Sequence, residues 1–150
     1  DVAGHEVDRA KLRSYLDDGS ALAIFRNIIE RQGGDPKVCE DYSLLPTSES
    51  KTTFNAVKAG IIEGMDAMAV GVAALELGAG RKTKEDEIDP AVGIVFRKKR
   101  GDTVEAGEPI ADIYFNPKSN LEDCLKRLTG AIRIGDQAPT PPPLIIERLR

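Results

Sequence analysis

Apolar side chains recur at helical spacing in four stretches and alternate with polar ones in the stretches between, and this rhythm divides the chain into elements. From Asp8 to Asp18, Leu12, Tyr15 and Leu16 share one face, and Gly19 follows as a left-handed stop. Ser20 then stands as the cap of a helix over Ala21 to Gln32, with Leu22, Phe25, Ile28 and Ile29 on one stripe and Arg26, Asn27, Glu30 and Arg31 outside it. Gly33-Gly34 stops that helix, and Asp35-Pro36 forbids its continuation because Pro36 lacks an amide donor. The expectation is a helical hairpin with no core of its own. Lys37 to Lys51 is polar and irregular, with Pro46, Thr47, Ser48 and Ser50 grouped as in a linker, so a domain boundary is expected there, between residues 1–36 and 37–150.

Beyond the boundary, Thr52 to Glu63 reads as one strand bent or bulged at Lys58-Ala59-Gly60. Asp66 caps a helix from Ala67 to Leu77, with Met68, Val72 and Leu75 predicted as its buried face and small residues elsewhere that admit a close neighbour. Period-two alternation then puts Val92, Ile94 and Phe96 on one side and Gly93, Val95 and Arg97 on the other. Tight turns at Arg100-Gly101-Asp102 and Glu105-Ala106-Gly107-Glu108 lead to a return strand in which Ala111, Ile113 and Phe115 alternate with Asp112 and Tyr114. Asn120 caps a last helix with a Leu121, Cys124, Leu125, Leu128 stripe, closed by Gly130. A short strand from Ala131 to Ile134, a turn at Gly135-Asp136, a stiff Pro139 to Pro143 connector and a terminal strand from Leu144 to Leu149 complete the reading. No internal repeat is evident.

Composition narrows the function classes. With 41% hydrophobic residues in 150, the chain has enough apolar surface for one full core or for a domain with a helical appendage. Its 25 acidic and 21 basic residues leave a net charge of -4, with no electrostatic footprint for nucleic acid or an anionic membrane. The most apolar run, Met65 to Gly78, contains Asp66 and Glu76 and is too short to span a bilayer. The start, Asp-Val-Ala-Gly-His-Glu, has neither the basic nor the apolar region of a signal peptide, so the expected location is cytoplasmic. Cys39 and Cys124 are too few for a disulfide framework and too far apart in sequence for a metal knuckle, so both are read as reduced. The missing initiator methionine points to a piece of a longer protein.

Catalytic residue patterns are scarce. Gly78-Ala79-Gly80-Arg81-Lys82 has the residues to present amides and cations to a phosphate, but it follows a helix, and a phosphate cradle normally precedes one. A helix stop with a solvated loop is the favoured reading, and the mixed charges from Lys82 to Asp89 suggest a mobile surface loop or lid. His5 is the one histidine and lies before the first helix, so a Ser-His-Asp or Cys-His arrangement would hang on a terminal residue. Arg97-Lys98-Lys99-Arg100 beside a turn reads as a solubilising, edge-protecting cluster. Asp17-Asp18 and Glu85-Asp86 are adjacent in sequence and tend to point apart, and Asp112 and Asp123 read as scaffold carboxylates, so no acid and base pair is formed. No catalytic, substrate-binding or metal residue is assigned, and no cofactor is expected.

Two resemblances add to this reading. Gly101 to Ile110, Gly-Asp-Thr-Val-Glu-Ala-Gly-Glu-Pro-Ile, resembles the half-motif of biotinyl and lipoyl carrier domains, which fold as a hammerhead-like β unit, although the lysine tripeptide that accepts the prosthetic group is absent. Leu77-Gly78-Ala79-Gly80-Arg81, Lys84-Glu85-Asp86 and Ile88 to Ile94 together resemble the C-terminal domain of pyrimidine-nucleoside and thymidine phosphorylases. Ala21-Leu22, Phe25-Arg26, Gln32 to Pro36 and Pro143-Leu144-Ile145 are similar to further blocks of that family.

The resemblance implies an α+β fold, a helical hairpin followed by an α/β hammerhead of barrel-sandwich type. Residues 1–36 would close a central phosphorylase domain and 37–150 would form the C-terminal one. It implies a pentosyltransferase that cleaves the N-glycosidic bond with phosphate as co-substrate, in a homodimeric parent whose partners are the rest of its own chain, the nucleoside and phosphate. The family's Lys-His-Ser-Thr-Gly-Gly phosphate loop has no counterpart here, so the chain alone is expected to be inactive. The alternatives are a non-enzymatic carrier or binding module and the equivalent region of a nucleotide phosphorylase.

Overall fold

The computed structural model describes residues 8–141, 143 and 145–147; His5, Leu144 and Leu149 lie outside them. The chain divides into two units, Asp1–Leu45 and Pro46–Arg150.

In the first unit, α1 (Arg9–Asp17) is capped by Asp8, whose carboxylate accepts from the Lys11 amide at 3.0 Å. The second helix, α2 (Ser20–Arg31), has Gly19 at the cap position and no side-chain cap. Ser20 is therefore not the cap expected: its hydroxyl donates to the Tyr15 carbonyl instead. The end of α2 is closed by two backbone bonds, from the Gly33 amide to the Glu30 carbonyl and from the Gly34 amide to the Ile29 carbonyl, the pattern that satisfies the last orphan acceptors of a helix. Neither helix buries a residue, as expected for a hairpin without a core. The segment expected to be irregular holds two 3-10 turns, Pro36–Cys39 and Tyr42–Leu44, capped by the side chains of Asp35 and Asp41.

The second unit is α+β. Its described residues form β1 (Ser50–Asn55), β2 (Gly60–Met65), α3 (Ala67–Leu77), β3 (Gly93–Phe96), β4 (Thr103–Val104), β5 (Pro109–Phe115), α4 (Leu121–Ala131) and β6 (Ile132–Gly135). These make two three-stranded antiparallel sheets, ordered β1-β5-β3 and β4-β2-β6. The single bent strand expected over Thr52 to Glu63 is two strands in different sheets. Residues 56–59 carry the chain across, and Gly60 makes the arrival possible: at φ 149° a Cβ there would meet the Gly135 carbonyl oxygen at 2.7 Å.

The expected pair of strands after residue 91 is likewise three. Between β3 and β5 the chain crosses to the other sheet, where the Arg100-Gly101-Asp102 turn exchanges backbone bonds with Ile62 at 2.8 and 2.9 Å and β4 pairs with Gly60 and Ile61. The Glu105 to Glu108 turn then returns it, bonding Ala56 on both its amide and its carbonyl at 2.8 Å.

One apolar cluster joins both sheets and both helices, with Ile62, Val104, Ile110, Ile113, Cys124 and Leu128 fully enclosed. Each large aliphatic side chain in it contributes about 1.5–3 kcal/mol by leaving water. Val92, Ala111 and Ile113 are buried and Val95 is exposed, as the alternation predicts. The fully buried Ile110 and the buried Asp112 depart from it: Ile110 lies at the register shift where Phe54 faces Ala111 and Asn55 faces Pro109, and Asp112 is enclosed by Arg97 and Lys51.

Helix α3 begins and ends where expected, capped by Asp66 at 3.0 Å from the Ala69 amide. Its inward face is Ala73, Glu76 and Leu77, not Met68, Val72 and Leu75. A helix apolar on every side gives periodicity no face to choose. The last helix carries its expected Cys124 and Leu128 core, and Asn120 accepts from the Asp123 amide at 3.2 Å while its own amide donates to the Asp123 carboxylate at 2.7 Å. Gly130 does not end it; the helix runs to Ala131 and passes directly into β6. Ile145, Ile146 and Glu147 are not in a strand, which removes those residues from the expected terminal strand.

Candidate functional site

A cleft of about 640 Å³ opens between the C-terminal end of α3, the loop that follows it and the segment before α4. Glu76, Gly78, Lys82, Asp86, Asp89 and Ser119 are among its lining residues, so the stretch with most sequence punctuation also borders a concavity.

The first wall is the helix end. Gly78 adopts φ 101°, a left-handed conformation that a side chain would strain. Its amide donates to the Leu75 carbonyl at 3.1 Å, and the Ala79 amide donates to the Ala74 carbonyl at 3.1 Å. Both amides are thus spent on terminating α3, whose C-terminal end carries the negative pole of the helix dipole. The turn cannot cradle a phosphate with them. The helix-stop reading holds for a physical reason.

Behind this turn sits the one charged side chain of α3. Glu76 has 6% of its side chain exposed and is held by two cations from different elements, Lys82 of the loop and Arg127 of α4. The Arg127 Nε–H donates to Glu76 Oε1 at 3.0 Å, and Lys82 Nζ donates to Glu76 Oε2. Lys82 first, then Arg127, hold the Glu76 carboxyl below the ordinary glutamate range against the opposing effect of burial. The thiol of Cys124, fully enclosed, is pushed up to about 11 by burial and then by the Glu76 charge. It is therefore a protonated core group and not a nucleophile at neutral pH.

The rest of the cleft is a polar brace. Asp89 donates its amide to the Gly78 carbonyl at 2.9 Å, which joins the two ends of the intervening loop. Its carboxylate accepts from the Ala91 amide at 2.9 Å and from Asn116 Nδ2 at 2.7 Å, and these bonds lower its pKa. The Ser119 hydroxyl donates to the Leu77 carbonyl at 2.7 Å and accepts from the Asn116 amide at 3.1 Å. Within the loop, the Asp86 carboxylate accepts from the Lys82 and Thr83 amides and from the Thr83 hydroxyl at 2.8–2.9 Å.

The basic run read as solubilising is largely structural. Arg97 reaches both oxygens of the buried Asp112, at 2.7 Å to Oδ1 and 2.9 Å to Oδ2, and Lys51 adds a contact at 3.2 Å, so one carboxylate ties β1, β5 and the end of β3. Arg97 first and Lys51 after it lower the Asp112 pKa. Lys98 pairs with Glu108 at 2.7 Å, and Arg100 donates to the carbonyls of Glu63 and Thr140. Asp18 accepts from the Ser20 amide and Asp123 serves the α4 cap, so neither forms an acid and base pair. Both cysteines are free thiols. Among the described residues no group of histidine, cysteine, aspartate or glutamate could hold a metal ion. The sequence reading passed over Glu76, Lys82 and Arg127 as a group; its signal was the lone glutamate in an otherwise uncharged helix.

At the edge of the cleft the Glu76 carboxylate, held by Lys82 and Arg127, fastens α3, the loop and α4 together. Comparison with known proteins places that fastening. A family model described as "Pyrimidine nucleoside phosphorylase C-terminal domain" matches residues 61–135, half of the chain. The chain is 44% identical over 133 residues to the pyrimidine-nucleoside phosphorylase of Bacillus subtilis, covering 89% of the chain and 30% of that relative. It is 43% identical over 136 residues to the pyrimidine-nucleoside phosphorylase of Staphylococcus haemolyticus, covering 91% and 31%. The chain thus spans about 30% of the length of the curated relatives it matches. By this match, from β2 through β6 and the cleft between them, the chain belongs to the pyrimidine nucleoside phosphorylase family and carries its C-terminal domain.

Proposed function

We propose that this chain is the C-terminal part of a phosphorylase acting on pyrimidine nucleosides, and that it serves the reaction as architecture. The match over residues 61–135 carries the reading. In the reaction a phosphate oxygen attacks the anomeric carbon as the bond to the base nitrogen breaks. The bonding pair leaves with the base, giving free base and a pentose 1-phosphate. Groups that stabilise such charge development are preorganised donors and cations. Here Lys82 and Arg127 are engaged with Glu76, and the family's Lys-His-Ser-Thr-Gly-Gly phosphate loop has no counterpart in this sequence, so in this reading the reacting groups come from the remainder of the longer protein.

In this reading the second unit is a hammerhead-type α/β domain, residues 1–36 end the phosphorylase's central domain, and the intact protein is a cytoplasmic homodimer with phosphate as co-substrate. The loop from Arg81 to Glu87 acts as a gate. Its neck is closed by the bond between Asp89 and Gly78 and it is tied to α3 through Lys82 and Glu76, so its movement as the domains close over substrate requires that tie to give. The test is phosphorolysis of uridine and thymidine, followed by release of free base, with the 150-residue chain and with the longer protein. Turnover by the longer protein and none by the chain is expected; turnover by the chain alone, or none by either, overturns the reading.

A further inference from the structure

Helix α3, Ala-Met-Ala-Val-Gly-Val-Ala-Ala-Leu-Glu-Leu, has a single charged residue, and that residue, Glu76, is turned inward onto Lys82 and Arg127. A helix apolar all the way round is one that is covered all the way round. Here one side is covered: Ala73 and Leu77 enter the core beside α4. The other side carries Met68, Gly71, Val72 and Leu75, spaced as one stripe. Met68 is 77% exposed, Gly71 is exposed, and Val72 and Leu75 are half-buried.

Gly71 sharpens the case. Glycine inside a helix is destabilising relative to alanine, and nothing among the described residues uses its small size, since a Cβ placed there meets no atom within 4 Å. Its φ is not in the left-handed region either. A glycine that is neither turning the chain nor making room within its own unit is accounted for by a neighbour that approaches the helix backbone from outside.

We infer that the Met68, Gly71, Val72, Leu75 face of α3 is the seat on which the body of the phosphorylase preceding this chain in the longer protein packs. The inference rests on the proposed function. Two observations select this occupant. The matched relatives are about three times as long as this chain, whose aligned 133–136 residues cover 30–31% of them, and a C-terminal domain in a single polypeptide must be held against that remainder. The stripe also carries no charge, which suits a permanent apolar contact and not a transient, polar-rimmed one.

The chain has two methionines, Met65 in β2, half-buried, and Met68, and this gives an internal control for a footprinting experiment. Dilute hydrogen peroxide is applied to the 150-residue chain and to the full-length protein, and each sulfoxide is followed by peptide mass spectrometry. Thioether oxidation tracks exposure, so Met68 should oxidise faster than Met65 in the chain and be slowed about tenfold or more in the full-length protein. Equal Met68 rates in the two proteins overturn the inference. So does protection of Met68 in the isolated chain that grows with its concentration, which assigns the face to a second copy. Uridine phosphorolysis on the same full-length preparation separates the two readings: an inactive protein with Met68 protected sinks the enzymatic assignment and leaves the docking face standing.

Discussion

Replacing Glu76 with glutamine tests how this domain is fastened, because it removes one charge and no volume. Glu76 joins three segments, α3 by its backbone, the loop through Lys82 and α4 through Arg127. Each hydrogen bond to a charged group contributes about 1.5–3 kcal/mol when enclosed. Lys82 and Arg127 keep 50% and 47% of their side chains exposed, so water screens the pair and re-solvates both cations when the charge is removed. Discounted toward surface-pair values, the expected loss is about 1–2 kcal/mol. In a domain of this size that lowers Tm by about 5–10 °C.

The pH dependence supplies the sign. Glu76 titrates below its ordinary value of 4.5 when folded, so its contribution is complete above about 4.5 and is lost as pH falls through the lowered folded value. Thermal melts of the parent and Glu76→Gln proteins should differ most at neutral pH and converge in acid. The depressed Asp86, Asp89 and Asp112 act in both proteins and cancel from the difference. A gap in Tm that is absent at pH 7, or that persists unchanged as pH falls well below 4, would refute the fastening.

Two further outcomes follow from the core. Leu128→Ala empties a fully enclosed site at the centre of the α4 stripe, and urea unfolding should register a loss of about 2–5 kcal/mol; a loss under about 1 kcal/mol would mean the site collapses or was never packed. An aromatic disulfide reagent at pH 8 should label the half-buried Cys39 and leave Cys124 unmodified until denaturant is added, and equal labelling rates in the folded chain would contradict the enclosure of Cys124.

Local chemistry was legible in the sequence; pairing was not. Asp66, Asn120 and Gly78 announce the ends of α3 and α4 because capping depends on residues three or four positions apart. The alternation of Val92, Ile94 and Phe96 gives a face for the same reason. That Thr53 and Ile62 belong to different sheets depends on partners at Asp112 and Ile134, which no local window contains. The Glu76 group was hidden similarly, its second cation lying on α4 far along the chain. In the basic run Arg97 to Arg100, spacing gave the charges but not the buried Asp112 opposite Val95 that Arg97 reaches. The family resemblance was readable because its blocks are local motifs, each quoted from consecutive residues.

The crossing of the chain between sheets sets the order in which this domain can be made. Neither sheet comes from a contiguous stretch: β1 waits for β5, and β2 stands without its Ile62-to-Ile134 partner until the last described strand arrives. Such non-local pairing makes for slow closure. During synthesis Phe54 and Ile62 therefore leave the ribosome long before their strand partners, and a polypeptide truncated before residue 109 leaves both sheets incomplete, while one truncated between residues 116 and 131 has the strands of the first sheet but lacks the β6 edge of the second. Closure of the core is thus withheld until β6 has been made, because Ile132 belongs to the same apolar cluster as Phe54 and Ile62.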